Sequence, residues 1–165
     1  MALNAYLKLT GTKSGQIKGS VTQKGRENTI MVIAVSHEIV SPRDAASGLA
    51  TGKRAHRPLV ITKELDKSSP ILWQMLVTNE VITEFVLDFW KPSISAGSGT
   101  GSEFQHYSIK LTNASIAEIH FRMPNNKNPD LVKFAEYEEI AFTYEKIAWT
   151  WKDGGIVAED SWKIK

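Results

Sequence analysis

Apolar and polar residues alternate with a period of two over much of the chain. Such alternation predicts half-buried strands, and runs of β-branched residues predict well-buried ones. In the first half, strands are predicted over residues 3–9, weakly over 17–21, over the run TIMVIAV at 29–35, and over 59–63.

The same alternation returns in the second half. It predicts a strand over 81–89, a flexible Gly/Ser-rich turn over 93–102, and a hairpin of 104–111 with 115–123. Residues 139–151 read as one long strand, and Asp153-Gly154-Gly155 is a hairpin turn into the last strand, 156–164.

One segment has the spacing of a helix. Ser69 is a suitable N-cap and Pro70 suits the first helical position, where its missing N–H has no intrahelical partner to lose. Apolar residues at 71, 72, 75 and 76 then share a face. The chain is therefore predicted to be mainly β, a compact β-barrel or two-sheet sandwich in one domain (1–165) with one flanking helix at about 69–79.

Residues 41–57 (SPRDAASGLATGKRAHR) interrupt this pattern. Their apolar residues follow neither the period of a strand nor that of a helix, and the segment is too long for an ordinary hairpin turn. We call this segment the excursion. It concentrates positive charge against a single acid, and its candidate assembly residues are Arg43, Asp44, Lys53, Arg54, His56 and Arg57. A long, basic, exposed loop predicts a contact with another molecule.

Composition excludes several classes of function. The chain has no cysteine, which excludes disulfides, thiolate metal sites and a cysteine nucleophile, and a net charge of +2 does not favour nucleic acid as a partner. No apolar run is long enough to insert in a membrane, and Asn4 and Lys8 break any signal-peptide core. These features predict a cytoplasmic protein.

No ordered catalytic, metal or cofactor constellation stands out. GLATGKR at 48–54 fails as a phosphate-binding loop because Arg54 follows the lysine and a strand follows the loop. The histidines lack metal-type spacing; only His106 and His120 would approach each other, if their strands pair. We therefore expect no enzymatic activity and no cofactor.

Two segments carry a resemblance that covers nearly the whole chain. GKRAHRPLVITKELDKSSPIL at 52–72 and EIAFTYEKIAWTWKDGG…DSW at 139–162 resemble the Hcp family (hemolysin-coregulated protein) of type VI secretion systems. The matching positions are Gly52, Lys53, His56, Pro58, Lys63, Asp66, Ser68, Ser69 and Pro70, then Glu139, Phe142, Tyr144, Ile147, Trp149, Gly154, Gly155, Asp160 and Trp162.

The resemblance implies a structural subunit that forms hexameric rings, whose stacks build the inner tube of the secretion machine. It also implies contacts with tail-spike (VgrG-like) and sheath proteins, small effectors carried in the lumen, and export from the bacterial cytoplasm without a cleaved signal peptide. We expect the excursion to join rings, its basic residues meeting acids such as those near Glu136, Glu138 and Glu139.

One alternative stays open. Trp149 and Trp151 share a face of one strand, as carbohydrate stacking would need, so a monomeric lectin-like sandwich would also fit, although packing in the core is the more common use of such residues.

Overall fold

The structure is a computed structural model that describes residues 3–93 and 103–163. The predicted Gly/Ser-rich turn at 93–102 lies outside these ranges apart from its first residue. The elements are β1 (Ala5–Gly11), β2 (Gly15–Ile17), β3 (Ile30–Val32), β4 (Ala34–Ser36), β5 (Ile39–Val40), β6 (Ala55–His56), β7 (Leu59–Glu64), α1 (Ser69–Val77), β8 (Ile82–Pro92), β9 (Glu103–Thr112), β10 (Ser115–Arg122), β11 (Tyr137–Thr143), β12 (Lys146–Trp151) and β13 (Ile156–Ser161).

The strands form two main sheets and one small ribbon. The larger sheet has the order β13-β12-β9-β8-β1-β2, with β3 also paired to β1, and the smaller has the order β10-β11-β7-β4. Strands β5 and β6 pair with each other. The mainly β fold with one helix is confirmed, and in the described ranges the sheets are not closed into a barrel.

The chain passes from one sheet to the other four times in the described ranges, and three of these passages correct predictions. The single strand over 29–35 is wrong because the chain changes sheets at Ile33. The hairpin of β9 with β10 is wrong because β9 pairs with β8 and β12 whereas β10 pairs with β11. The long strand over 139–151 is wrong because the chain changes sheets at Tyr144 and Glu145.

The core lies between the inner faces of the two sheets. Alternate residues of β1, β7, β8 and β11 point into it, as their period of two predicts. Phe85 from the larger sheet and Phe142 from the smaller meet edge to face, with ring centroids 4.9 Å apart. Leu72 and Met75 of α1 complete the core, and α1 lies beside β10.

The N-cap of the helix lies one residue earlier than predicted. Ser68, not Ser69, is the N-cap, and its side chain does not cap the helix. The Ser69 hydroxyl instead accepts a hydrogen bond from the buried Lys63 ammonium at 2.9 Å. The helix ends at Val77, and Asn79 has a left-handed φ of 49° that stops it from continuing.

Candidate functional site

The excursion is an ordered, exposed ribbon. Its base is the β5–β6 pair, in which Ile39 lies opposite His56, and a bridge farther out joins Arg43 to Ala50. Every residue from 41 to 55 is exposed. The expectation of a segment outside the regular fold is thereby refined: it is a long hairpin that projects from the sandwich.

Asp44 shapes the tip of the excursion. Its carboxylate accepts hydrogen bonds from the backbone N–H and the hydroxyl of Ser47, both at 2.7 Å, and these bonds hold the pKa of Asp44 below its usual range. Gly48 follows with a φ of 69°, a conformation that favours glycine. Asp44 therefore builds the turn.

The six candidate residues divide into four environments. Arg43, Lys53 and Arg57 are exposed, and Asp44 lies in the turn. Arg54 forms a two-pronged ion pair with Asp160 of β13. His56 is buried at the base of the ribbon. The structure thus brings Arg54 and His56 together and leaves the other three cations along the exposed part of the excursion.

His56 belongs to a cluster that ties the excursion to the C-terminal hairpin. We call His37, His56, Tyr144, Asp160 and Trp162 the anchor cluster. The Tyr144 hydroxyl lies 2.7 Å from Nε2 of His37 and 2.8 Å from Nδ1 of His56, and Nε2 of His56 lies 3.0 Å from the Asp160 carboxylate. The His56 ring stacks on the Trp162 ring, with the ring centroids 5.7 Å apart.

The charges of the anchor cluster have clear causes. The hydrogen bonds from Arg54 lower the pKa of Asp160 to about 2, so this carboxylate is ionised near neutral pH. Burial, and then the charge of Asp160, raise the pKa of Tyr144 to about 12. Burial, and then the neighbouring His56, lower the pKa of His37.

The sheet switch at Tyr144 and Glu145 explains how this cluster forms. Leaving β11, Tyr144 turns toward the excursion, and the Glu145 carbonyl accepts the backbone N–H of Trp162 at 2.8 Å. Sequence reasoning missed the cluster as a unit. Its only signal was that His56, Tyr144, Asp160 and Trp162 are among the positions that carry the family resemblance.

One predicted acidic partner of the excursion is excluded. Glu138 is buried, and its carboxylate lies 3.0 Å from the Lys63 ammonium, so it is not a surface acid. Glu139 pairs with Arg122 on the surface, and Glu136 is exposed. Only the last two are accessible to another molecule.

Two further surfaces lie on different parts of the molecule. Strand β13 is an edge strand whose Ile156 and Val157 are 67% and 57% exposed. A groove of about 790 Å³ lies beside the smaller sheet, lined by apolar residues that include Ile33, Phe121, Met123 and Phe134. Exposed apolar area of this kind is typical of contact surfaces.

The described residues hold few signs of other chemistry. Within 3–93 and 103–163, no three carboxylate or imidazole side chains converge as metal ligands would. His106 and His120 lie on strands of different sheets, so the approach that a hairpin would have given them does not occur. No helix in the same ranges has the length and apolar character to span a bilayer.

The sequence and the fold match known proteins over nearly their full length. The family described as "Type VI secretion system effector, Hcp" matches residues 6–151. The "Major exported protein" of Pseudomonas aeruginosa is 36% identical over 172 residues, covering 99% of this chain and 97% of that protein.

Solved structures agree. A doubly substituted Hcp1 protein from E. coli EAEC 042 superposes with a TM-score of 0.83 at 33% identity, covering 98% of this chain and all of that one. The secreted protein Hcp3 from Pseudomonas aeruginosa gives 0.76 at 30% identity, covering 98% and 99%. The resemblance predicted from residues 52–72 and 139–162 is thereby confirmed, and the chain belongs to the Hcp family of type VI secretion system proteins.

Proposed function

We propose that this chain is a structural, ring-forming subunit of the inner tube of a type VI secretion system. The observation that carries the proposal is the full-length agreement with Hcp proteins in both sequence and fold. The role is assembly rather than catalysis.

Ring formation needs two different, complementary surfaces on each subunit, because a closed ring is a head-to-tail assembly. The edge of β13 and the apolar groove beside the smaller sheet support this requirement. An edge strand offers unpaired backbone N–H and C=O groups, and Ile156 and Val157 add apolar side chains to it. We propose that these surfaces take part in the hexameric ring.

Ring stacking is the proposed role of the excursion. Arg43, Lys53 and Arg57 are exposed, and no ion pair within the described ranges holds them. The fixed base of the ribbon supports this role, since an ordered projection loses less conformational entropy on binding than a mobile one. Arg54 and His56 contribute indirectly, by fixing that base.

We also propose that the chain is exported and that its ring carries cargo. The relatives are named an exported protein and a secreted protein, which supports export of this chain. Its release by the machine from the bacterial cytoplasm, without a cleaved signal peptide, is part of the same proposal. The tail-spike and sheath proteins are its proposed partners in the machine, and small effectors in the ring lumen are its proposed cargo.

The lectin-like alternative loses the observation on which it depended. Trp149 is partly buried against the core, as is Trp162, whereas Trp151 is exposed and lies edge to face with His106. Trp149 and Trp151 therefore do not present one exposed stacking platform.

Size measurement and imaging test the proposed function directly. Light scattering after size exclusion should give the mass of a hexamer, and negative-stain images should show rings with an open pore. A monomer at every concentration would contradict the proposal. Binding of the monomer to a glycan array would restore the lectin-like reading.

A further inference from the structure

Two histidines share a single hydroxyl group in the anchor cluster. Nε2 of His37 and Nδ1 of His56 both lie within 2.8 Å of the Tyr144 oxygen, although one hydroxyl has only one proton to donate. The His56 side chain is fully buried, so water does not reach it as an alternative partner. The protons of this cluster must therefore be arranged in a definite order.

That order follows from the ionised carboxylate at one end. Since Asp160 accepts only, Nε2 of His56 donates a hydrogen bond to it, and Nδ1 of a neutral His56 then accepts a hydrogen bond from the Tyr144 hydroxyl. The Tyr144 oxygen in turn accepts a hydrogen bond from Nε2–H of His37. With both histidines neutral, each of these contacts has one donor and one acceptor.

One added proton fits the same geometry. If His56 becomes an imidazolium, its Nδ1 donates to the Tyr144 oxygen, and the hydroxyl reverses to donate to Nε2 of His37, which changes tautomer. The new charge lies 3.0 Å from the Asp160 carboxylate. The cluster therefore keeps its contacts while it holds a single proton.

A second proton does not fit. Both ring nitrogens would then donate to the Tyr144 oxygen, its O–H would lose its acceptor in the cluster, and two cations would face each other across one oxygen atom. The surroundings do not offset them. Arg54 already occupies Asp160, and the other nearby charges of the hairpin are paired on the surface, Lys146 with Glu159 and Lys163 with Glu145.

We propose that the anchor cluster is a pH-sensitive latch, which holds the excursion against the C-terminal hairpin with at most one proton and releases it when both histidines are protonated. His37 is the half-buried member and leaves first. It directly precedes Glu38, whose backbone carbonyl accepts a hydrogen bond from the backbone N–H of Arg57 at 3.0 Å. Strand β5 begins at the next residue. Its departure therefore frees the base of the ribbon.

The latch regulates the surface to which the proposed function assigns ring stacking, and to that extent it rests on that function. In a neutral medium the excursion is held in a fixed position. In an acidic medium the excursion becomes mobile while the two sheets stay folded, because their core contains neither histidine. Stacks of rings are then expected to loosen on acidification.

Hydrogen exchange of the full chain tests the latch. Exchange is followed by mass spectrometry at about pH 7.5 and about pH 5, with rates corrected for the chemical effect of pH on exchange. Protection of the amides in 39–57 is expected to fall about tenfold or more at the lower pH, and that of β1 and β8 to stay constant. Equal protection of 39–57 at both pH values would overturn the proposal.

Variants separate a latch from a merely structural contact. Tyr144→Phe keeps the ring and removes the shared oxygen, so 39–57 should be weakly protected at both pH values. His120→Gln, which changes an exposed histidine beside Glu118, should keep the full pH response. A response that persists in Tyr144→Phe, or that disappears in His120→Gln, would contradict the latch.

Nuclear magnetic resonance gives a second readout that does not depend on the excursion. His56→Gln should move the titration of His37 to higher pH, since the neighbouring cation is gone. An unchanged titration of His37 would overturn the coupling. Light scattering at neutral pH separates the two proposals: monomers with a pH-dependent excursion refute only the ring, and rings with a pH-independent excursion refute only the latch.

Discussion

Lys63 is the residue whose environment departs most from what its side chain prefers. Its ammonium group is fully buried, a costly position for a cation unless it is paired. Glu138 at 3.0 Å, Asp66 at 3.1 Å and the Ser69 hydroxyl at 2.9 Å satisfy its three N–H groups. The group joins β7, β11 and the start of α1, so one buried charge fixes three elements.

Replacing Lys63 by Met should destabilise the protein by about 3–5 kcal/mol, because Glu138 would remain as a buried charge without its partner. Urea unfolding measures the change. Adding Glu138→Gln should recover part of the loss, since an amide still accepts the Trp73 indole N–H that now binds Glu138 at 3.0 Å.

Lys67→Met is the matched control, because it removes an exposed lysine from the same turn and should change stability by less than about 0.5 kcal/mol. Equal effects of Lys63→Met and Lys67→Met would show that the buried group does not stabilise the fold.

Asp160 should make the protein sensitive to acid. Its pKa is lowered from 3.8 to about 2 in the folded chain, so its stabilising effect is complete above the unfolded value and is lost as the pH falls toward the folded one. Asp160→Asn should therefore destabilise the protein at about pH 7 and much less at about pH 2, as measured by urea unfolding at each pH.

Asp153→Asn changes an exposed carboxylate in the adjacent turn and should leave the wild-type pH dependence intact. If the free energies of unfolding of Asp160→Asn and wild type differ by the same amount at both pH values, the charge of Asp160 does not contribute to stability.

At the scale of elements, alternation located most strands but not the sheet to which each belongs. Residues 29–35 read as one strand because the apolar run continues through the change of sheet, and residues 139–151 because apolar residues recur at every second position in both sheets. A change of sheet leaves little trace in such a pattern; at Ile33 it leaves an apolar residue that is 46% exposed. Boundaries of this kind depend on tertiary pairing, which local pattern does not contain.

The candidate site was predictable to a similar extent. Length, charge and the absence of a period marked 41–57 as a segment apart from the regular strands, because each of those is a local property, and residues 41–55 are exposed in the structure. The anchor cluster was not predicted, since His56 and Tyr144 are 88 residues apart in the chain and meet only through the fold. For the same reason, Glu138 was taken as a surface acid although its partner Lys63 lies 75 residues away.

Strand β13 should be required for ring formation. Val157→Lys places a charge on this exposed edge and should convert rings to monomers in light scattering, with a change in stability below about 1 kcal/mol. Val77→Lys is the matched control, since Val77 is 70% exposed at the last residue of α1, where a cation is well tolerated. Rings that persist in Val157→Lys would exclude β13 from the interface.

At the scale of the whole molecule, the two kinds of proposed contact differ in their physics. The β13 edge and the groove are apolar, so contacts within a ring should depend little on salt. The excursion is basic on a chain with a net charge of only +2, so contacts between rings should be local and electrostatic. Salt should therefore separate the two levels of assembly.

Raising the salt concentration from about 0.1 M to about 1 M shortens the Debye length from about 10 Å to about 3 Å, which should divide stacked tubes into single rings without dissolving the rings. Sedimentation and negative-stain imaging measure both levels of assembly.

The double variant Arg43→Glu with Lys53→Glu should prevent stacking even at low salt, because it reverses two exposed charges of the excursion and leaves the Arg54–Asp160 ion pair in place. Lys18→Glu with Lys24→Glu changes the net charge equally at exposed positions outside the excursion and should leave the stacks intact. If tubes survive both high salt and the excursion variant, then apolar contacts, and not the basic excursion, join the rings.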